Sequence, residues 1–217
     1  MRHITFYFDV ISPYAHLAFE KLPEVLSGLS YSVRYQPVLL GAVLGHHGQL
    51  GPAEITPKRA WTYRHVAWLA QEQGVALQMP ASHPFNPLAL LRLAAASSPT
   101  GQSNRYVTER LFHHVWHGGA DAADPLRLQD LIQELAPARD PNSDEVKAQL
   151  KAATDGAIAR GLFGVPSMEV DGKWFWGFDA LPMLRDYLRA DAWFDGPDWD
   201  AAAGIPVGVS RTRRPPV

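Results

Sequence analysis

The sequence predicts an α/β fold in which a large helical insertion splits one sheet-forming unit into two halves. Three observations carry this expectation: a strand–helix–strand pattern over residues 3 to 40, a series of capped helical patterns from about residue 54 to 160, and strand signals that return only near the end, before a closing helix.

Residues 3 to 10 alternate and are rich in Ile, Phe, Tyr and Val, the pattern of a partly buried strand. A helix follows from Pro13 to about Leu26, with Ser12 as its N-cap and Pro13 at the first helical position, where a missing N–H costs nothing. Pro23 is expected to kink or shorten it. Residues 31 to 40, "YSVRYQPVLL", form a second strand, so the opening is a right-handed β-α-β unit with parallel strands. Thr56-Pro57 caps a helix to Gln73, Asn86-Pro87 caps another to Ala96, and residues 102 to 117, 125 to 135 and 143 to 160 continue the series. "SMEVDGKWFWG" reads as two short strands around Asp171-Gly172, a dipeptide suited to a tight hairpin turn, and a helix starts near Asp179. The expected division is therefore 1–40 with 161–190 as one α/β domain, 41–160 as the helical insertion, and 191–217 as a loosely held tail. That tail ends with three arginines, Arg211, Arg213 and Arg214, a short basic tract that could meet a polyanion.

Composition narrows the function classes. The 217 residues are 47% apolar, enough for one good core, and the formal charge of -2 supplies no cationic surplus for phosphate neutralisation, so neither nucleic acid nor an anionic membrane surface is an expected partner. No stretch approaches the roughly 20 apolar residues that span a bilayer, and Asp9 interrupts the one apolar run near the start, so a cytoplasmic location is expected. With no cysteine, the chain has no disulfide, no thiolate metal site and no redox couple of its own. Any thiol chemistry must use a borrowed thiol.

A β-α-β half, a helical insertion and a β-β-α half resemble the thioredoxin-like fold as DsbA-type proteins build it. More narrowly, "FDVISPYAHLAF", "PKRAWTYRHVAW" and "LFGVPSMEVDGKWFWGFDAL" resemble, in the same order, the 2-hydroxychromene-2-carboxylate isomerases and the related kappa-class glutathione transferases, over roughly residues 3 to 190. The resemblance implies glutathione as cofactor, a small aromatic carboxylate as substrate and a homodimer as the assembly. Ser12 stands where a redox protein of this fold carries its first cysteine, and Ala15 where it carries the second. The family uses this serine hydroxyl to bond the sulfur of glutathione. A free thiol has a pKa of about 8.5, and lowering it by two units takes about 2.7 kcal/mol, which a helix N-terminus and one charge-assisted hydrogen bond can supply.

The resemblance also implies that Val165 precedes a cis-proline, Pro166, and that the Val165 backbone pairs with the cysteinyl part of glutathione like an added strand. Gly177, Phe178 and Asp179, opening the last helix, are implied for the γ-glutamyl end, with Asp179 facing its ammonium. The family commonly has a polar residue where this chain has Phe178 and a basic one where it has Ala180. Gln49 takes the place of a more usual asparagine near the glutathione backbone, and Asn86 matches an asparagine near the substrate, although Asn-Pro is also an ordinary cap.

Lys58, Trp61, His65 and Trp68 share one helical face. An aromatic face ordinarily belongs to a core. Lys58 at its edge points the other way, since an anionic aromatic substrate needs a cation beside a flat apolar wall, so Lys58 and Trp61 are candidates for substrate binding. His113 and His117 have the i, i+4 spacing of a metal-binding helix but lack a metalloprotease glutamate, and no metal is expected. His46 and His47, in a Gly-rich loop, are expected to be solvated. Three functions are compatible with these residues. In an isomerase, a thiolate adds to a conjugated carbon, a fixed double bond becomes rotatable, and glutathione is released unchanged. A kappa-like transferase lets the conjugate leave, and a redox-inactive thioredoxin relative would only bind peptide at the proline groove.

Overall fold

Alternation along β1 (Arg2–Phe8) sends Phe6 and Phe8 to one face of the sheet and Tyr7 to the other. The structure, a computed structural model describing residues 1–209, pairs β1 with the parallel β2 (Tyr31–Pro37) on one side and the antiparallel β3 (Ser167–Val170) on the other. The hairpin partner β4 (Lys173–Trp176) completes the order β2-β1-β3-β4. This is the thioredoxin-like arrangement expected from the resemblance.

Phe6 and Phe8 pack with Phe19 and Leu22 of α1 (Pro13–Val25), with Leu90 and Leu93 of α4 (Leu88–Ala96), and with Phe112 and Trp116 of α5 (Arg105–Trp116). Each large side chain buried this way contributes roughly 1.5–3 kcal/mol. Two helices of the insertion thus enter the same core as the sheet. On the opposite face Tyr7 packs with Val38, Val43 of α2 (Leu40–His46) and Ala157 of α7 (Asp144–Ala159), together with Leu162 and Val165. Helix α3 (Thr56–Gln73) lies against α1 through Val66, Ala70 and Leu17. Helix α6 (Pro125–Leu135) adds Leu131 to the main core, and α8 (Leu181–Leu188) adds Leu181 and Leu184.

Several expectations are corrected. The second strand ends at Pro37, not residue 40, because Leu40 already starts α2, a helix the sequence pattern did not reveal. Thr56 is the first residue of α3 and makes no side-chain cap, and α4 starts at Leu88 after Pro87 with no side-chain cap of its own, Asn86 standing one residue earlier and accepting from the Leu88 amide at 3.1 Å. Helix α1 runs through Pro23 to Val25. The region after residue 190 is not uniformly loose: a 3-10 turn over Ala192–Asp195 and the helix α9 (Pro197–Ala203) pack through the buried Phe194 against Phe175 and Tyr187. The aromatic side chains of that segment are the reason, since Phe194, Trp193 and Trp199 lie within contact of one another. Arg211, Arg213 and Arg214 lie outside the described residues.

Candidate functional site

Sheet register brings four chain segments to one end of the molecule. Tyr7 pairs with Ser167 and Ser167 with Trp176, so the residues just beyond the end of β1, just before β3 and just after β4 converge. The start of α2 joins them through Leu40. Its amide donates to Asp9 Oδ2 at 2.9 Å, and the Ile11 amide donates to Asp9 Oδ1 at 3.1 Å. Asp9 is fully buried without a cation, and desolvation pushes its carboxyl up to about 7 against the two backbone hydrogen bonds.

The corner from residue 9 to residue 12 is held from a distance. The indole of Trp116 donates to the Val10 carbonyl at 2.9 Å, the imidazole Nε2–H of His83 donates to the Ile11 carbonyl at 2.8 Å, and the Ser12 amide donates to the Asp9 carbonyl at 3.1 Å. Ser12 itself is 6% exposed, and its Oγ accepts from the Ala15 amide at 3.2 Å as the N-cap of α1. That bond uses an oxygen lone pair. The hydroxyl hydrogen has no acceptor among the described residues, so capping and donation to a ligand are compatible roles for one side chain.

At the same end of the sheet the Val165–Pro166 peptide is cis, as the resemblance implies. Neither the amide nor the carbonyl of Val165 has a hydrogen-bond partner among the described residues, although the residue is 9% exposed. Backbone groups so shielded ordinarily find partners, and an extended peptide laid alongside would supply them. The Pro166 carbonyl accepts from the Gly177 amide at 2.9 Å. Gly177 has a φ of 97°, which favours glycine, and a Cβ there would displace the Asp179 carboxylate, whose Oδ1 would lie 2.5 Å away. Asp179 is exposed and forms no ion pair among the described residues, which leaves its charge available. Phe178 is half-buried, and its ring packs against the apolar contact of α1 with α3. A phenyl group there serves packing, where a polar residue could not.

The aromatic face of α3 is not core. Trp61 is 66% and Trp68 55% exposed, and the His65 ring lies between them, nearly parallel to both at 7° and 18° with centroids 6.1 Å apart. Lys58, exposed and without an ion-pair partner among the described residues, stands one turn before Trp61. Tyr14, two residues past Ser12, has its hydroxyl 2.9 Å from His65 Nδ1, so this wall borders the serine corner. Burial raises the Tyr14 pKa, and the nearby Asp179 charge adds to the rise. Gln49 is exposed in the loop after α2, and no contact joins it to Ser12; His47, expected to be solvated, anchors that loop by donating to the Leu162 carbonyl at 2.9 Å. Asn86 is exposed, and its Oδ1 accepts from the Leu88 amide.

The histidines of α5 make a separate cluster. His113 meets Glu20 at 2.9 Å, and the rings of His113 and His117 stack at 4.0 Å. Among the described residues no group of His, Asp or Glu side chains is arranged to hold a metal ion. A cavity of about 350 Å³ beside them is lined by Arg110, Arg127 and Glu134 as well, but Arg110 is already bonded to Glu134 and Arg127 to the His114 carbonyl. Sequence reasoning missed Asp9, Tyr14, Tyr63 and His83. A carboxylate inside the apolar run "FYFDVI" was the one available signal for Asp9, whereas His83 and Tyr63 carry none.

Comparison with known proteins agrees with this fold. The model of the DSBA-like thioredoxin domain matches residues 3–189. A 2-hydroxychromene-2-carboxylate isomerase of Sphingobium xenophagum is 30% identical over 192 residues, covering 85% of this chain and 97% of the relative. Glutathione S-transferase kappa 2 of Caenorhabditis elegans is 28% identical over 218 residues, covering 89% and 94% of the two chains. Among solved structures, a 2-hydroxychromene-2-carboxylate isomerase superposes with a TM-score of 0.74 at 22% identity, covering 94% of this chain and 100% of the other. Among the described residues no helix is long and apolar enough to cross a membrane.

Proposed function

The chain belongs to the DSBA-like thioredoxin domain family, and from that premise we propose that it is a glutathione-dependent cis–trans isomerase acting on 2-hydroxychromene-2-carboxylate or a similar bicyclic aromatic breakdown product. The observation that carries the reading is a buried Ser12 hydroxyl with an uncommitted hydrogen, at a helix N-terminus, at the same end of the sheet as the unpartnered backbone of Val165.

Those residues fit the tripeptide. The Val165 amide and carbonyl need an extended partner, and the Asp179 carboxylate folded over Gly177 stands near them with its charge uncommitted. When bound, glutathione supplies a nucleophilic thiolate. Ser12 donates to its sulfur, with the α1 N-terminus favouring the anion. Val165 orients the cysteinyl unit, and Asp179 faces the γ-glutamyl ammonium. Lys58 attracts the substrate carboxylate, while Trp61, His65 and Trp68 form the flat wall against which the aromatic system lies, with Asn86 and Gln49 at the margins. Such placement of two reactants is itself a large part of catalysis.

The test is turnover of 2-hydroxychromene-2-carboxylate with and without glutathione, with the thiol counted afterwards. An isomerase needs glutathione and returns all of it. Progressive loss of thiol in proportion to product would instead support the transferase reading, which the kappa-type relative favours.

Lys58→Met is expected to raise KM for the carboxylate substrate roughly tenfold and Lys58→Arg by much less, because one ion pair in a partly desolvated site is worth about 1–2 kcal/mol and arginine keeps the charge. Equal KM values for the two variants would show that the side chain only packs.

A further inference from the structure

We propose that His83 is the positioning residue for Ser12: its Nε2–H holds the Ile11 carbonyl, the Tyr63 hydroxyl braces the imidazole from its other nitrogen, and the pair thereby aims the Ser12 hydroxyl at the ligand sulfur. This rests on the glutathione reading above and adds a role for two residues of the insertion.

The geometry is specific. His83 reaches across 72 residues of sequence to the Ile11 carbonyl at 2.8 Å. A carbonyl can only accept, so Nε2 carries the hydrogen. In a neutral ring Nδ1 is then an acceptor, and the Tyr63 hydroxyl, 2.7 Å from it and 2.9 Å from the His83 carbonyl, shares its one hydrogen between the two. The ring stands among Trp116, Phe85 and Tyr63, and burial lowers its pKa, which favours the neutral form this chain of bonds requires. Trp116 holds the adjoining Val10 carbonyl at 2.9 Å. Two consecutive carbonyls are therefore clamped immediately before Ser12, and the peptide plane that sets its hydroxyl direction has little freedom.

A merely structural histidine would anchor the loop around residue 83 and leave the serine indifferent. The alternatives separate on three variants, His83→Leu, His83→Gln and Tyr63→Phe, read by thiolate absorbance against pH with glutathione bound. His83→Leu is expected to raise the pH midpoint by about one unit, a tenfold loss of thiolate at fixed pH, and to lower kcat about tenfold while KM for glutathione changes little, because Val165 and Gly177 are untouched. His83→Gln, whose amide N–H can reach the same carbonyl, should recover most of both, with Tyr63→Phe between them. Equal midpoints and kcat values for His83→Leu and His83→Gln would overturn the proposal. Should His83→Leu not fold, a Tyr63→Phe midpoint equal to wild type overturns it. If wild type itself shows no glutathione thiolate, the functional reading fails separately, and amide hydrogen exchange of the free protein decides: faster exchange over residues 9 to 15 in His83→Leu but not in His83→Gln supports positioning, and identical exchange refutes it.

Discussion

Replacing Ser12 with alanine is expected to raise the pKa of bound glutathione by one to two pH units and to lower turnover near neutral pH roughly 10- to 100-fold, since a hydrogen bond to a charged group is worth about 1.5–3 kcal/mol. The thiolate is lost, not the tripeptide. Contacts through the Val165 backbone and the Gly177 turn do not involve the serine, so glutathione affinity at low pH should change much less. Stability should fall by about 1 kcal/mol, the ordinary cost of losing an N-cap, because the Ala15 amide loses its side-chain acceptor. The measurement is the thiolate titration of the glutathione complex beside thermal unfolding of the free protein. Unchanged titration and turnover, with only the loss of stability, would leave Ser12 as a helix cap and nothing more.

Asp9→Asn should change how stability depends on pH. Burial holds the folded carboxyl near pH 7 instead of 3.8, so between those values the native state keeps a proton that the unfolded chain has lost. The sign follows: this carboxyl contributes stability fully present below about pH 4 and lost as pH rises through about 7, on the order of 4 kcal/mol. His16 acts in the opposite sense. Burial lowers its folded pKa to about 4, so its contribution is present above 6.5 and is lost as pH falls toward 4. The two slopes oppose each other in the wild type, and the variant uncovers one of them. Urea unfolding at pH 5 and pH 8 should show Asp9→Asn gaining relative to wild type as pH rises, even though its amide cannot accept from both the Ile11 and Leu40 N–H groups. A constant difference between the two proteins would mean that Asp9 ionises as a surface carboxylate does.

Much of the architecture was legible because its signals are local. Ser12-Pro13 announces a helix start through cap chemistry and a fixed φ, and Asp171-Gly172 announces a hairpin through positive φ at both residues, as the structure has them. The short α2 gave no comparable sign, since "LGAVLGH" carries two glycines and lacks a side-chain cap, and its helix depends on what it packs against.

The site divides along the same line. Amino-acid order alone marked Ser12-Pro13 as a helix start, and it was the family resemblance that singled out Ser12, Val165-Pro166 and Gly177-Asp179 as a candidate site, each a contiguous turn whose local conformation the structure shows. Amino-acid order also placed Lys58, Trp61, His65 and Trp68 on one face, since helical spacing depends on position and nothing else. Whether that face is buried was a tertiary matter, settled by α3 turning Val66 and Ala70 toward α1 and leaving both tryptophans outside. The same holds for Asp9, His83 and Trp116. Their partners are backbone groups 31, 72 and 106 residues away, and a hydrogen bond to a backbone carbonyl or amide selects no residue type at the far end that a sequence could display.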